Sequence, residues 1–147
     1  MAIPGPGTAI SINTIVGEFG GTVPHSINEY YRSGGLVPNT PGNAAIPVSG
    51  TISLNNFYGS ANRTSYTLTI STNTQNYDVY TNRGPLYSAG ASDITVQINP
   101  GVTVGSSSVP AYALLVPSSF SPTDTITIVN DGTIRGMGGA GVFELCE

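Results

Sequence analysis

The sequence predicts an all-β domain, either a compact β-sandwich or a short β-solenoid, preceded by an extended amino-terminal segment with short helical turns. From residue 65 onwards, short runs of Thr, Val, Ile and Tyr alternate apolar with polar residues, as half-buried strands do. Turn clusters of Asn, Pro and Gly separate these runs, and no long helical pattern competes with them. The predicted organisation is a docking segment over residues 1–62, a β-domain over 63–135 and a glycine-rich tail over 136–147.

The amino-terminal segment repeats a motif of Ser, an apolar residue and Asn, each time followed by an aromatic residue. The motif occurs as Ser11-Ile-Asn, Ser26-Ile-Asn and Ser53-Leu-Asn. A Ser in front of a short apolar stretch is a helix N-cap, so each copy predicts a capped helical turn. The turns that begin after Ser11 and Ser53 are expected to stop at Gly20 or Gly21 and at Gly59.

The middle copy carries a more specific signal. Ser26 and Glu29 have the spacing of a capping box, in which each side chain accepts the backbone N–H of the other residue. The pair Gly34-Gly35 is expected to end this turn in a left-handed conformation. Ser26 and Glu29 are therefore predicted to have a structural role.

The repeated turns are too short to be stable alone, because isolated helices below about 12 residues rarely persist in water. We therefore expect residues 1–62 to have little core of their own and to pack against another chain. Prolines between residues 36 and 50 favour an extended linker within this segment. The side chains expected to dock on the partner are apolar or aromatic: Phe19, Ile27, Tyr30, Tyr31, Leu54, Phe57 and Tyr58.

The β-domain contains several predicted strands: Tyr66–Ile70, Tyr77–Tyr80, Ile94–Ile98, Val102–Val104, Ala111–Val116, Thr125–Val129 and Thr133–Arg135. Their alternation and spacing suit an antiparallel sandwich. The similarity of residues 94–104 to residues 126–134 suits a solenoid, since each has a strand, a turn with Asn and Gly, and a shorter strand. The residues leave both architectures open. Gly132, in the turn Asn130-Asp-Gly, is predicted to be structural and to adopt a left-handed turn conformation.

The composition indicates a component of an assembly. Only 8% of the 147 residues are charged, Lys and Trp are absent, and the formal net charge is −4. With so few charges, electrostatic repulsion between copies of the chain is weak, and this favours packing against copies or partners. The four arginines are scattered, so there is no basic stripe to neutralise phosphates, which argues against a nucleic-acid partner.

No motif indicates catalysis, a metal or a cofactor. His25 is the single histidine, and its place before the Ser26 cap suits the start of a turn. The carboxylates Asp78, Asp93, Asp124 and Asp131 lie beside strand ends, where turns and caps are usual, although a catalytic pair for glycan hydrolysis stays an alternative. The glycine cluster from residue 136 lacks the Lys-Ser/Thr of a phosphate-binding loop, and Cys146 is a lone terminal thiol.

The amino terminus lacks the basic and apolar regions of a signal peptide, and no apolar run approaches the roughly 20 residues of a membrane span. The chain is therefore expected to be soluble, without a cleaved export signal and without membrane insertion.

Two stretches resemble a known class of proteins. Glu18-Phe-Gly-Gly with Pro24-His-Ser-Ile-Asn-Glu-Tyr-Tyr, and Ile46-Pro-Val-Ser-Gly-Thr-Ile-Ser-Leu-Asn-Asn-Phe-Tyr-Gly, resemble the amino-terminal segment of tail-fibre and receptor-binding proteins of tailed bacteriophages. Further on, Asn130-Asp-Gly-Thr-Ile-Arg-Gly followed by glycines is similar to the glycine-rich motifs of T-even tail-fibre adhesins. In those adhesins repeated glycines build packed polyglycine helices with receptor-binding loops, whereas this chain has one glycine cluster.

The resemblance implies a non-enzymatic virion protein of the phage tail, made in the host cytoplasm and needing no cofactor. It implies docking to other tail or baseplate proteins and a homo-oligomer, a trimer as is usual for tail fibres. Two alternatives remain: a carbohydrate-binding adhesin module that contacts a host-surface glycan directly, and a tailspike-like glycan hydrolase.

Overall fold

The computed structural model describes residues 2–138, which fall into two compact units. The first unit combines the chain up to residue 66 with residues 85–93 and 121–125. The second unit combines residues 67–84 and 94–120 with the chain from residue 126. The predicted glycine-rich tail is described only to Gly138, and Cys146 lies outside the described residues.

The first unit contains one α-helix, α1 (Ile12–Phe19), among its described residues, and three single turns of 3₁₀-helix. Helix α1 begins after Ser11, whose hydroxyl accepts the amide of Thr14, and it ends at Gly20, which has a φ of 75°. Both ends lie where the sequence predicts them. The 3₁₀ turns are Ile27–Glu29, Pro41–Asn43 and Leu54–Phe57.

The caps of the other two predicted turns differ from one another. Ser53 forms a capping box with Asn56, whose side-chain oxygen accepts the Ser53 amide at 2.8 Å. Ser26 instead accepts the amide of Asn28, at 3.4 Å, so the predicted box with Glu29 is wrong. The Glu29 amide donates to the Ser26 carbonyl at 3.1 Å rather than to the Ser26 hydroxyl. The turn also ends at Glu29, well before the predicted stop at Gly34-Gly35.

The first unit has a hydrophobic core of its own, so the expectation of little core over residues 1–62 is wrong. Seven buried apolar side chains form the cluster: Ile3, Ile15, Phe19, Tyr30, Val37, Ile46 and Phe57. Half-buried neighbours such as Ile12, Ile27 and Leu54 pack against it. The short helical turns are stable because their apolar faces meet one another across this cluster, which offsets the cost of ordering them.

The chain between Thr64 and Arg135 forms short strands: β1 (Thr64–Ile70), β2 (Thr74–Gln75), β3 (Tyr77–Asp78), β4 (Ser92–Ile98), β5 (Thr103–Gly105), β6 (Leu114–Leu115), β7 (Thr125–Asn130) and β8 (Thr133–Arg135). They form three small sheets with the orders β1-β4-β7, β2-β5-β8 and β3-β6. The fold is therefore mainly β, as predicted. The predicted strands lie close to the observed ones, and the structure adds β2 between the predicted strands Tyr66–Ile70 and Tyr77–Tyr80.

In the second unit, short strands pair in parallel with strands that come later in the sequence. We call each such return of the chain, for example from Thr74 to Val104, one pass. In the sheet β2-β5-β8, Thr74 faces Val104 and Val104 faces Ile134, so the separation in sequence between partners is the same in both pairs. Strands β3 and β6 are also parallel. Along β4, Ile94, Val96 and Ile98 are buried while the residues between them are half-exposed, which gives the period of two expected of a strand with one covered face.

Gly132 packs too closely on the backbone to leave room for a side chain, and its conformation is not the predicted one. Its φ does not lie in the left-handed region, so that prediction is wrong. A Cβ at this position would collide with the Val102 carbonyl oxygen and would lie 2.7 Å from the Asn99 carbonyl oxygen. The Gly132 backbone thus packs directly on the turn one pass earlier, and any side chain would separate them.

Candidate interaction surfaces

Three of the predicted docking residues lie inside the first unit rather than on its surface. Phe19, Tyr30 and Phe57 are buried, and the Phe57 ring lies 6.4 Å, centroid to centroid, from each of the other two rings in edge-on contact. The Tyr30 hydroxyl donates a hydrogen bond of 2.8 Å to the Gly20 carbonyl. Burial, with the nearby charge of Glu29, raises the pKa of Tyr30. These aromatic side chains therefore join the repeated turns to each other.

The other four predicted docking residues, Ile27, Tyr31, Leu54 and Tyr58, are half-buried. Ile27 and Leu54 rest on the core cluster, and the Tyr31 hydroxyl donates to the Gly50 carbonyl. Each therefore keeps part of its side chain accessible while another part is held within the unit.

The two most exposed large apolar residues of the first unit were not among the predicted docking residues. The side chain of Val23 is 82% exposed and that of Val48 is 58% exposed. Both lie next to a proline, and Val48 belongs to the linker predicted between residues 36 and 50. Nothing in the local pattern distinguishes them from buried valines, because exposure depends on the packing of the whole unit.

Asp93 and Asp124, in the first unit, both have structural partners. Asp93 pairs with Arg63, whose guanidinium Nη2 lies 2.7 Å from Asp93 Oδ1. These hydrogen bonds hold the pKa of Asp93 below its usual value and raise that of Arg63. Asp124 Oδ1 accepts the amides of Gly90 and Ser92, at 2.9 and 3.2 Å.

The other Asp124 oxygen, Oδ2, accepts two further hydrogen bonds. They come from the Tyr87 hydroxyl, at 2.8 Å, and from the Ser121 amide, at 3.0 Å. One carboxylate therefore ties together residues 87–92 and 121–124 of the first unit. The sequence predicts Asp124 beside a turn, and the structure shows that three of its four donors lie 32 to 37 residues earlier in the chain.

Asp78 and Asp131, the two carboxylates of the second unit that the sequence placed beside strand ends, are also hydrogen-bonded within the chain. Asp78 Oδ1 accepts the Thr81 amide at 3.0 Å, and Asp131 Oδ2 accepts from the Gln97 side chain at 2.7 Å. Residues 2–138 contain no cluster of three His, Cys, Asp or Glu side chains suited to a metal ion. Within that range there is also no helix long and apolar enough to cross a membrane.

A polar groove lies on the sheet β2-β5-β8 of the second unit. Gln75, Gly105 and Arg135 are register partners on successive strands, so they form one row across the sheet. The row before it, Thr74, Val104 and Ile134, contains the fully buried Val104, so the Gln75 row faces the other side of the sheet. A groove of about 670 Å³ opens beside Gln75 and Gly105.

An adjoining hollow of about 230 Å³ extends this groove to Arg135. The two share Gln75, Thr103 and Gly105 as lining residues. Most of the lining residues have a side-chain amide, hydroxyl or guanidinium that can hydrogen-bond to a polar ligand. No sequence motif marked this row, because its members lie on three different strands that are far apart in the sequence.

Comparison with known proteins identifies the class of the chain. No curated protein and no solved structure matches it. The family model of the phage tail fibre adhesin Gp38 matches residues 65–144, which is more than half of the chain. This agrees with the adhesin resemblance of the residues from Asn130 onwards. The chain belongs to the phage tail fibre adhesin Gp38 family and is thus a bacteriophage tail-fibre protein of the adhesin type.

Proposed function

We propose that this tail-fibre protein is a structural component of the virion that docks to another tail or baseplate protein through its first unit and supports host attachment. The observation that carries the proposal is that the match to the adhesin family begins only at residue 65. The residues before it nevertheless fold around their own buried core. A separately packed unit outside the adhesin match is suited to a second task, and attachment to the tail is the task that a fibre tip requires.

The docking surface in this proposal is a preformed one rather than a strap that orders on contact. Val23 and Val48 supply exposed apolar side chains, and Tyr31 and Tyr58 supply half-exposed aromatic ones. Aromatic residues with a polar tip are common in protein interfaces, and a few such anchors supply most of the binding energy. Because the unit is already folded, docking loses little free energy to ordering the chain.

For the second unit we infer a short β-solenoid rather than a sandwich. Successive passes of the chain pair in parallel at a constant spacing in the sheet β2-β5-β8, where Thr74 pairs with Val104 and Val104 with Ile134. The corner contacts also repeat, since the Asn99 amide donates to the Ile70 carbonyl and the Asp131 amide donates to the Ile98 carbonyl. Repetition of this kind is what stacked coils require, whereas a sandwich needs antiparallel hairpins.

The proposal also covers the state of the protein in the particle. We propose a non-enzymatic component of the virion tail that assembles as a homo-oligomer, with the trimer taken from the tail-fibre resemblance. The structural hydrogen bonds of Asp78, Asp93, Asp124 and Asp131 support a role without catalysis, because each carboxylate is already engaged by its own chain.

The docking role is tested by incorporation of variants into phage particles. The double variant Val23→Asp with Val48→Asp places charges at the two most exposed large apolar positions of the first unit. We expect the variant to fold with an unchanged melting temperature and to be incorporated at least about tenfold less, since burying one uncompensated charge costs well over 1.4 kcal/mol.

The matched control is Val109→Asp. Val109 is 61% exposed, it precedes a proline as Val23 does, and it belongs to the second unit. We expect this control to be incorporated normally. Normal incorporation of the folded double variant, or an equal loss in the control, would exclude docking through the exposed valines of the first unit.

A further inference from the structure

The groove on the sheet β2-β5-β8 contains a glycine that the fold does not need. Gly105 lies at the end of β5, and its φ is outside the left-handed region. A Cβ built on it would meet only Gln75 Cγ at 3.8 Å and the Thr74 carbonyl oxygen at 3.9 Å, which are ordinary contacts. A larger residue would fit the backbone and would strengthen the strand. Glycine within a strand often marks a place where a ligand or another backbone comes close.

The missing side chain leaves a gap between two polar ones. Gln75 and Arg135 are the register partners on either side of Gly105, so they lie about 9–10 Å apart across two strand spacings. Thr103 lines the groove next to this row, and its amide donates to the Asn73 side-chain oxygen at 2.8 Å. The backbone of Gly105 therefore forms the base of the gap. The Gln75 amide, the Arg135 guanidinium and hydroxyls such as that of Thr103 surround it.

Arg135 differs from the other arginines in having no partner for its guanidinium among residues 2–138. Arg63 pairs with Asp93, and the Arg32 guanidinium donates to Asn39. Arg83 stacks on Tyr80, with its guanidinium carbon 3.8 Å from the ring centroid. The Arg135 side chain is exposed, and no described acidic side chain forms an ion pair with it. In a chain with a net charge of −4, it is a cation left available beside a groove.

We propose that this groove binds an anionic saccharide, with Arg135 pairing with a carboxylate or phosphate group of the sugar. The planar guanidinium offers two parallel N–H donors that match either anion. The Gln75 amide and the Thr103 hydroxyl each provide a donor and an acceptor for sugar hydroxyls. Among the lining residues only Met137 has a large apolar side chain, so the groove lacks the pockets that a bound peptide uses.

This binding site goes beyond the proposed docking function, because it lies in the second unit and does not depend on the first. The matching ligands are acidic sugars of the kinds found in cell-surface polysaccharides, in which the anion is either a uronic-acid carboxylate or a phosphate ester. The site would add a direct contact with the host surface to the attachment role of the family.

Titration calorimetry on the full chain at low ionic strength tests the proposal. The probes are a glucuronate-containing tetrasaccharide, a phosphorylated tetrasaccharide, a neutral tetrasaccharide and an acidic peptide of equal charge. We expect at least one of the two anionic saccharides to bind more tightly than both the neutral sugar and the peptide. Which anion binds distinguishes a carboxylated from a phosphorylated source. Binding should weaken as salt is added, since exposed charges are screened.

Variants of the row locate the site. Arg135→Gln should reduce affinity for the anionic probe by about tenfold or more, because it removes a charge-assisted hydrogen bond. Gly105→Tyr should abolish binding by filling the gap, and Gly105→Ala provides a smaller version if the tyrosine variant unfolds. Arg83→Gln removes the same charge from the same unit at a residue that does not line the groove, and it should leave affinity within about twofold because it removes no direct hydrogen bond to the sugar.

The proposal is wrong if no anionic saccharide binds at millimolar concentration, if the acidic peptide binds as tightly, or if Arg135→Gln and Arg83→Gln reduce binding equally. Failure of the docking experiment would leave this result unaffected, because the calorimetry uses the isolated chain.

Discussion

Arg63 and Asp93 form a bidentate ion pair within the first unit. Arg63 Nε donates to both Asp93 oxygens at 2.9 Å, and Nη2 donates to Oδ1 at 2.7 Å. Arg63 also donates to the Ser92 carbonyl at 2.8 Å and to the Gly90 carbonyl at 3.3 Å. A single guanidinium thus fixes the stretch from Gly90 to Asp93 against the end of the amino-terminal segment.

This pair predicts a specific pH dependence of stability. Because Arg63 holds the pKa of Asp93 below its usual 3.8, the unfolded carboxyl is protonated before the folded one as the pH falls. The pair therefore stabilises the fold fully above about pH 5, and its contribution is lost as the pH drops through 3.8 towards the folded pKa. Asp93→Asn should lower the free energy of unfolding by about 1 kcal/mol at pH 7, since both side chains are one-third exposed.

Urea unfolding from pH 7 to pH 3 measures this effect. The Asp93→Asn variant should lose less stability on acidification than the natural chain, so that the two curves converge at low pH. Parallel curves over the whole range would show that the pair does not stabilise the fold.

Asp124 is expected to matter more than any other described carboxylate outside the Arg63 pair. Asp124→Ala leaves the amides of Gly90, Ser92 and Ser121 without their acceptor, so we expect a loss of about 2–3 kcal/mol. The control, Asp131→Ala, removes an exposed carboxylate that accepts from Gln97 and should cost less than about 1 kcal/mol. Denaturant midpoints compare the two, and an equal loss would contradict the central role of Asp124.

Phe57 and Tyr58 are adjacent aromatic residues with different surroundings. Phe57 is fully buried in the core of the first unit, so Phe57→Ala should destabilise that unit by about 3–5 kcal/mol. Tyr58→Ala, at a half-buried position, should cost clearly less and should act mainly on docking. Amide hydrogen exchange checks this, because α1 should lose protection in the first variant only. Poor protection of α1 in the natural chain would instead support the expectation from the sequence that residues 1–62 are not ordered on their own.

The glycines of the second unit are expected to separate into required and replaceable ones. Gly132→Ala should destabilise the unit by about 2 kcal/mol or more, because the new methyl group collides with backbone carbonyls that cannot move aside. Gly136→Ala meets nothing within 4 Å and should leave the melting temperature unchanged. Thermal melts decide the order of the two. Gly139→Val, expected from the sequence to be nearly silent, lies outside the described residues and stays a prediction.

Local signals in the sequence were enough to locate most of the regular elements. Each of these signals involves only a few consecutive residues. Examples are the alternation over Ile94–Ile98, the turn Asn130-Asp-Gly, and the caps at Ser11 and Ser53. Strand periodicity and helix capping depend on neighbouring residues, which is why they can be read without the fold. The resemblance to tail-fibre adhesins likewise rests on contiguous motifs, and the family match confirms it.

Only the tertiary structure decided what each element contacts. An aromatic residue suits a core and an interface equally well, and only the packing of three distant turns shows that Tyr30 and Phe57 belong to a core. Strand register determined the row that lines the groove. Gln75, Gly105 and Arg135 lie side by side because β2, β5 and β8 pair in parallel at a constant spacing in the sequence. The same arrangement of strands places Gly132 directly against the backbone carbonyls of Asn99 and Val102. Such contacts depend on chain segments far apart in the sequence, so no local pattern could specify them.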